Sequence, residues 1–153
     1  MAPSWLGDVF PDFRWFANNN GSFDTPPNFI GLSDIFVAFR SAIVVADFDN
    51  DGDLDVAGSS SGMKYWENLG AGTFAEQVVL FEEFEIYPQE AQATDFNADG
   101  LMDIIVTGGQ GVFWLENLDG GTFSEPHQLA SDELELWSMD VADLNEDGFL
   151  DII

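Results

Sequence analysis

The stretch Asp47-Phe48-Asp49-Asn50-Asp51-Gly52-Asp53-Leu54-Asp55 decides how this chain reads. Side-chain oxygens fall at positions 1, 3, 5 and 9, and a glycine stands at position 6, where a tight loop must turn back on itself. The frame returns at Asp95, Asn97, Asp99, Gly100 and Asp103, and again at Asp143, Asn145, Asp147, Gly148 and Asp151. The interval from first Asp to first Asp is 48 residues both times. One Asp/Asn/Gly cluster is an ordinary turn. Three in one frame, at a fixed period of this size, indicate a solenoid, a propeller or an array.

A second motif keeps step with the first. Tyr65-Trp66-Glu67-Asn68-Leu69-Gly70-Ala71-Gly72-Thr73-Phe74 aligns with Trp114-Leu115-Glu116-Asn117-Leu118-Asp119-Gly120-Gly121-Thr122-Phe123, and a copy one residue shorter runs from Trp15 through Asn18 to Phe23. The shared frame is an aromatic, two residues, Asn, a Gly-rich turn, then Phe. Between the motifs lie short segments with strand character. Ile43 and Val45 align with Ala91 and Ala93, and with Met139 and Val141, in the period-2 alternation of a strand face. Each repeat therefore reads as four strands: one before the acidic loop, one after it, one carrying the aromatic motif, and one starting at Phe74 or Phe123 after the Gly turn. Gly58, Gly62, Gly108, Gly109 and Gly111 mark the hairpin between the second and third strands.

Four antiparallel strands per repeat at this period predict β-propeller blades, with a β-sandwich or solenoid as the alternative. The repeat frame divides the chain into the end of one blade plus a connection (1–40), two full repeats (41–88 and 89–135) and the first half of a further repeat (136–153). Propellers have about 4–8 blades, so the expectation is a fragment of a larger propeller, or self-association in which split end repeats pair between chains.

Composition narrows the function. The chain has 153 residues, 29 Asp plus Glu against 3 Lys plus Arg, and a formal net charge of −26. Such a charge repels phosphate backbones and anionic membranes, which argues against nucleic-acid partners. It also destabilises the compact state unless cations neutralise part of it. The 46% hydrophobic content supports a packed core rather than disorder. There is no cysteine, hence no disulfide or thiolate metal site. No apolar run reaches the ~18 residues of a membrane-spanning helix, so no membrane insertion is expected. The first residues, Met1-Ala-Pro-Ser-Trp-Leu-Gly-Asp, lack the basic and apolar regions of a signal peptide.

Calcium takes roughly 6–8 oxygen ligands from carboxylates, amides, main-chain carbonyls and water. The first loop offers Asp47, Asp49, Asp51 and Asp55 with the carbonyl of Asp53. The second offers Asp95, Asn97, Asp99 and Asp103 with that of Leu101, and the third Asp143, Asn145, Asp147 and Asp151 with that of Phe149. The expected cofactor is thus calcium, up to one ion per loop, with the side chains of Asp53 and Glu146 left in solvent. These loops are not EF-hands: position 12 is Gly58 and Val106 rather than a bidentate Glu, and the flanks are strand-like. Magnesium prefers few protein ligands, and zinc is disfavoured by one His and no Cys.

The loop at Asp47–Asp55 with its two copies, together with the Trp-x-x-Asn…Gly-x-Phe frames, resembles the FG-GAP/VCBS repeat family, calcium-binding propeller repeats also seen in integrin α-subunit heads. The resemblance runs from about Trp15 to Ile153. It implies that positions 1, 3, 5 and 9 of each loop are metal ligands. It also implies an extracellular or cell-surface protein in adhesion, ligand binding, or carbohydrate recognition and processing.

Other residues carry less. His127 stands alone, with no nucleophile frame around it. Trp15, Trp66, Trp114 and Trp137 could stack on sugars, but their regular placement favours packing between blades. Glu82, Glu83 and Glu85 form a solvated acidic cluster, and Asn20-Gly21-Ser22 fits both a glycosylation sequon and a turn. No convergent catalytic cluster is visible, so the expected function is an extracellular calcium-binding scaffold for a protein or glycan ligand, not an enzyme. The alternative is the propeller portion of a polysaccharide-processing enzyme or lectin whose active residues lie elsewhere.

Overall fold

The computed structural model describes residues 12–32, 42–59, 62–82, 86–131 and 138–153. Trp137, Glu83 and Glu85 lie outside them. The described residues are all-β, without a helix. They form β1 (Asp12–Trp15), β2 (Asn18–Asn19), β3 (Ser22–Phe23), β4 (Asn28–Leu32), β5 (Ile43–Ala46), β6 (Asp55–Ser59), β7 (Met63–Trp66), β8 (Val78–Phe81), β9 (Glu90–Thr94), β10 (Asp103–Gly108), β11 (Gly111–Leu115), β12 (Asn117–Asp119), β13 (Thr122–Phe123), β14 (His127–Ser131), β15 (Val141–Ala142) and β16 (Asp151–Ile152).

Two four-stranded antiparallel sheets, in the orders β5-β6-β7-β8 and β9-β10-β11-β14, are successive propeller blades. Before them stands the pair β1-β4, and after them the pair β15-β16. No sheet among the described residues closes on itself. The blades pack face to face. Val44, Ala46, Phe48, Ala57 and Tyr65 of the first meet Ile104, Val106, Phe113 and Leu115 of the second in one buried cluster. Phe13, Val56 and Trp66 form the cluster towards the preceding pair, and Ile105, Val112 and Met139 the one towards the pair that follows. The second strand of each blade is therefore covered on both faces. That is why β6 and β10 are buried from end to end and why β10 reads as the unbroken run Ile104-Ile105-Val106. Each such side chain contributes about 1.5–3 kcal/mol by leaving water.

The strand boundaries depart from the sequence reading in one instructive way. The fourth strands do not begin at Phe74 and Phe123. Phe123 closes a separate small hairpin, β12-β13; Phe74 forms an isolated bridge with Asn68; and β2-β3 is the third copy. The true fourth strands, β8 and β14, start four residues later. The Gly-rich turn produces this. Gly70, Ala71 and Gly72, like Gly120 and Gly121, all have positive φ, which folds the chain back before the sheet resumes. The tip then docks on the preceding blade. A Cβ on Gly72 would lie 2.6 Å from the Trp15 ring, and one on Gly121 would lie 2.7 Å from the Tyr65 hydroxyl. Trp15 and Tyr65 hold the same place in the repeat, so the aromatic motif is a repeat-to-repeat contact.

Gly121→Ala is accordingly expected to destabilise the protein by about 2–3 kcal/mol, from the clash together with φ +75. Its neighbour Gly120 has φ +50 and open space around it, so Gly120→Ala should cost only about 1 kcal/mol. Equal urea midpoints for the two variants would refute the docking account.

Candidate metal centre

Each acidic loop joins the first strand of a repeat to the second, and all three share one hydrogen-bond pattern. The first Asp accepts two main-chain N–H groups: Asp47 from Asp51 and Gly52, Asp95 from Asp99 and Gly100, Asp143 from Asp147 and Gly148, at 2.9–3.1 Å. Position 3 accepts the same position-5 N–H, through Asp49, Asn97 or Asn145. Position 5 accepts from position 7, through Asp51, Asp99 or Asp147. Position 9 reaches back to the N–H of position 2, linking Asp55 to Phe48, Asp103 to Phe96 and Asp151 to Leu144. The side chains thus replace the strand ladder, and the first strands end before Asp47, Asp95 and Asp143.

Two positions take left-handed backbone. Gly52, Gly100 and Gly148 have φ near +90 with nothing within 4 Å of a notional Cβ, so conformation alone calls for glycine there. Asn50, Ala98 and Glu146 at position 4 have φ of +60 to +61. No glycine marks that second bend, and of the three residues only Asn50 has a side chain that favours it.

In the first loop, oxygens of Asp47, Asp49 and Asp55 lie within 4.8 Å of one another. That carboxylate cluster has the chemistry of a hard-cation site. Asp51 stands outside it, its Oδ1 engaged by the Asp53 N–H at 2.8 Å. The second and third loops carry Asn97 and Asn145 at position 3, so the corresponding oxygens are amide rather than carboxylate. At position 7, Asp53 and Phe149 are exposed and Leu101 is half-buried; the side chain of Glu146 is also exposed.

The position-9 carboxylates are structural hubs. Asp55 is fully buried; besides the Phe48 N–H it accepts the Tyr65 hydroxyl at 3.0 Å and the Asn68 N–H at 2.7 Å. Asp103, also fully buried, accepts the Asn117 N–H at 2.7 Å. The Asn of the aromatic motif is therefore a partner of the acidic loop, which explains why the two motifs keep step. Its amide adds a second tie, from Asn68 to the Leu54 carbonyl and from Asn117 to that of Met102. Asn117 Nδ2 also donates to the Phe48 carbonyl at 2.7 Å, which bridges two blades at their loops. The fixed Asn in each copy was the signal for these contacts.

Burial pushes the Asp103 carboxyl above its ordinary value of 3.8, despite the N–H bonds that favour its charge. Asp49 is likewise raised, first by burial and then by the charges of Asp55, Asp51 and Glu67. Burial and the Asp55 charge push the Tyr65 hydroxyl up as well. For such carboxyls the native state holds more protons than the unfolded state, so without a cation stability falls as pH rises from 3.8 through the raised values. A chelated sample should therefore unfold at higher urea near about pH 5 than near about pH 7.5. A higher midpoint at the upper pH would contradict this assignment.

Serial four-stranded blades tied by acidic loops define a propeller-type fold. Residues 95–153 match the FG-GAP-like repeat, in line with the resemblance carried by the acidic loops and the Trp-x-x-Asn frames. The fold is similar to that of an Agrocybe aegerita lectin whose structure was determined for its specific recognition of non-reducing terminal N-acetylglucosamine. Identity is 23% and the TM-score 0.58, over 75% of this chain and 33% of the lectin, so the chain spans about a third of the lectin's length. No curated protein matches the chain.

Proposed function

We propose that the protein is a calcium-stabilised binding scaffold that works outside the cell and takes a carbohydrate ligand. The observation that carries the calcium reading is the convergence of Asp47, Asp49 and Asp55 oxygens, in a loop whose geometry recurs twice. In this reading each loop holds one ion through positions 1, 3, 5 and 9 and the position-7 carbonyl. Those residues are Asp47, Asp49, Asp51, Asp53, Asp55; Asp95, Asn97, Asp99, Leu101, Asp103; and Asp143, Asn145, Asp147, Phe149, Asp151. The oxygens already bonded to N–H groups keep lone pairs for a cation. FG-GAP-type loops commonly hold calcium, and modules built for extracellular calcium work at about 10⁻⁴–10⁻³ M, where open, exposed loops suffice. The ion's role is to offset charge and fix the loop, and no reaction is assigned to it.

The carbohydrate reading draws on the lectin of similar fold, and a protein ligand of the adhesion type is the competing outcome. Titration calorimetry with calcium should give binding of up to three ions. A glycan array probed in calcium, with glycans ending in N-acetylglucosamine included, should give binding that chelator abolishes. A blank array with calcium uptake intact would discard the carbohydrate ligand and retain the scaffold.

A further inference from the structure

Asn117 stands between the first two acidic loops and donates to both. Its side-chain Nδ2 reaches the Phe48 carbonyl of the first loop at 2.7 Å and the Met102 carbonyl of the second at 3.1 Å. Its Oδ1 is buried without a hydrogen bond, so the amide is held through its nitrogen alone. The ties continue into each loop. The Phe48 N–H donates to Asp55 Oδ2 at 3.1 Å, and the Asn117 N–H donates to Asp103 Oδ1 at 2.7 Å. An unbroken path therefore leads from position 9 of one loop, through Phe48 and Asn117, to position 9 of the other. Phe48, Asp55, Asp103 and Asn117 are all fully buried, where a hydrogen bond is stronger than in water and an unmade one is costly.

A second contact runs beside the first. Asp55 Oδ2 also accepts the Tyr65 hydroxyl at 3.0 Å, and the Gly121 turn of the next repeat packs on that hydroxyl. The Phe48 ring meets Tyr65 and, with 5.4 Å between centroids, Phe123 at the end of the same turn. Asn68 holds the place of Asn117 one repeat earlier, and it keeps its amide at home. Its Nδ2 donates to the Leu54 carbonyl and its Oδ1 accepts the Gly70 N–H.

We propose that Phe48 and Asn117 couple the first two loops, so that a cation held in either one raises the affinity of the other. The coupling rests on the calcium reading above. An ion fixes the oxygens of its loop. With Asp55 fixed, Phe48 presents its carbonyl where Asn117 needs it, and Asn117 in turn sets the N–H that holds Asp103. The second loop is then ordered before its ion arrives, and less ordering remains to oppose binding. Linkage makes the effect reciprocal. Charge alone gives the opposite sign, because a first cation weakens the attraction of an acidic chain for the next. Positive coupling is thus the signature of the tie.

Calcium titration calorimetry on a chain carrying Asp143→Ala, which removes the third site, reads the first two loops by themselves. Adding Asp95→Ala or Asp47→Ala gives the affinity of each loop with its neighbour vacant. Each loop is expected to bind calcium at least about 5-fold more tightly when the other is intact, by the same factor in both directions. Asn117→Ala keeps the main-chain N–H on Asp103 and should abolish the difference. Asn68→Ala, which loses an amide tie within its own repeat, should leave the difference unchanged. Equal or weaker binding beside an intact neighbour would overturn the coupling whether or not the Asn117 variant folds. A difference that survives in Asn117→Ala would overturn the part given to Asn117. Calcium uptake by independent loops would refute the coupling alone, whereas no uptake in any chain would remove the calcium reading and the coupling together.

Discussion

Saturating calcium is expected to raise the melting temperature by roughly 15–30 °C over the same protein in chelator. A ligand that binds only the native state stabilises by about 2.7 kcal/mol per site at a hundred times its dissociation constant, so three loops give about 8 kcal/mol. For a chain of this size each kcal/mol moves the midpoint by about 2–4 °C. The loops justify counting three sites, because the N–H pattern around Asp47, Asp95 and Asp143 is the same in all of them. Ionic strength alone would also help a chain of −26, so the comparison must be made against sodium chloride and magnesium at matched ionic strength. A shift reproduced in full by either salt would mean diffuse screening rather than sites. No shift at all would end the calcium reading. The sign of the pH dependence provides an independent check, since calcium binds the ionised carboxylates and should reverse the fall in stability with pH of the chelated protein.

Much of this architecture was legible because the repeat wrote it three times. The 48-residue spacing set the blades, and period-2 alternation located the first strands at Ile43 and Glu90. The unread parts have physical causes. Position 4 of each loop adopts left-handed backbone with Asn50, Ala98 or Glu146, and only the first of these side chains favours it. The Gly turn looked like a link to the fourth strand. Its glycines instead make room for the ring of Trp15 or Tyr65 from the preceding repeat, a long-range contact that no local pattern encodes. Alternation at Ile43 and Val45 identified a strand face but not its neighbour, and that face looks onto the incomplete preceding repeat. The four-oxygen frame treated its members as equals, whereas Asp55 and Asp103 at position 9 are buried hubs, Asp151 is half-buried, and Asp51 lies outside the first cluster.

That inequality makes Asp55→Ala the substitution with the largest expected effect. Asp55 has no exposed surface and serves three donors: the Phe48 N–H at 3.1 Å, the Asn68 N–H at 2.7 Å and the Tyr65 hydroxyl at 3.0 Å. Alanine removes the acceptor and leaves these groups without a partner, at about 1–3 kcal/mol for each buried donor. The expected loss in chelator is roughly 3–5 kcal/mol, comparable to the whole stability of many domains. In calcium the loss should grow further, because the cluster with Asp47 and Asp49 goes with it. Asp55→Asn separates the two roles. Its amide oxygen still accepts, so chelated stability should fall less than with alanine, while the loss of one ligand charge should reduce the calcium-induced shift from the first loop. Asp53→Ala, at an exposed position two residues away, should stay within about 0.5 kcal/mol of the parent in both conditions. Urea unfolding of the four proteins with and without calcium reads every term. Equal losses for Asp55→Ala and Asp53→Ala would refute the hub. An undiminished calcium shift in Asp55→Asn would remove Asp55 from the ligand set while leaving its structural role standing.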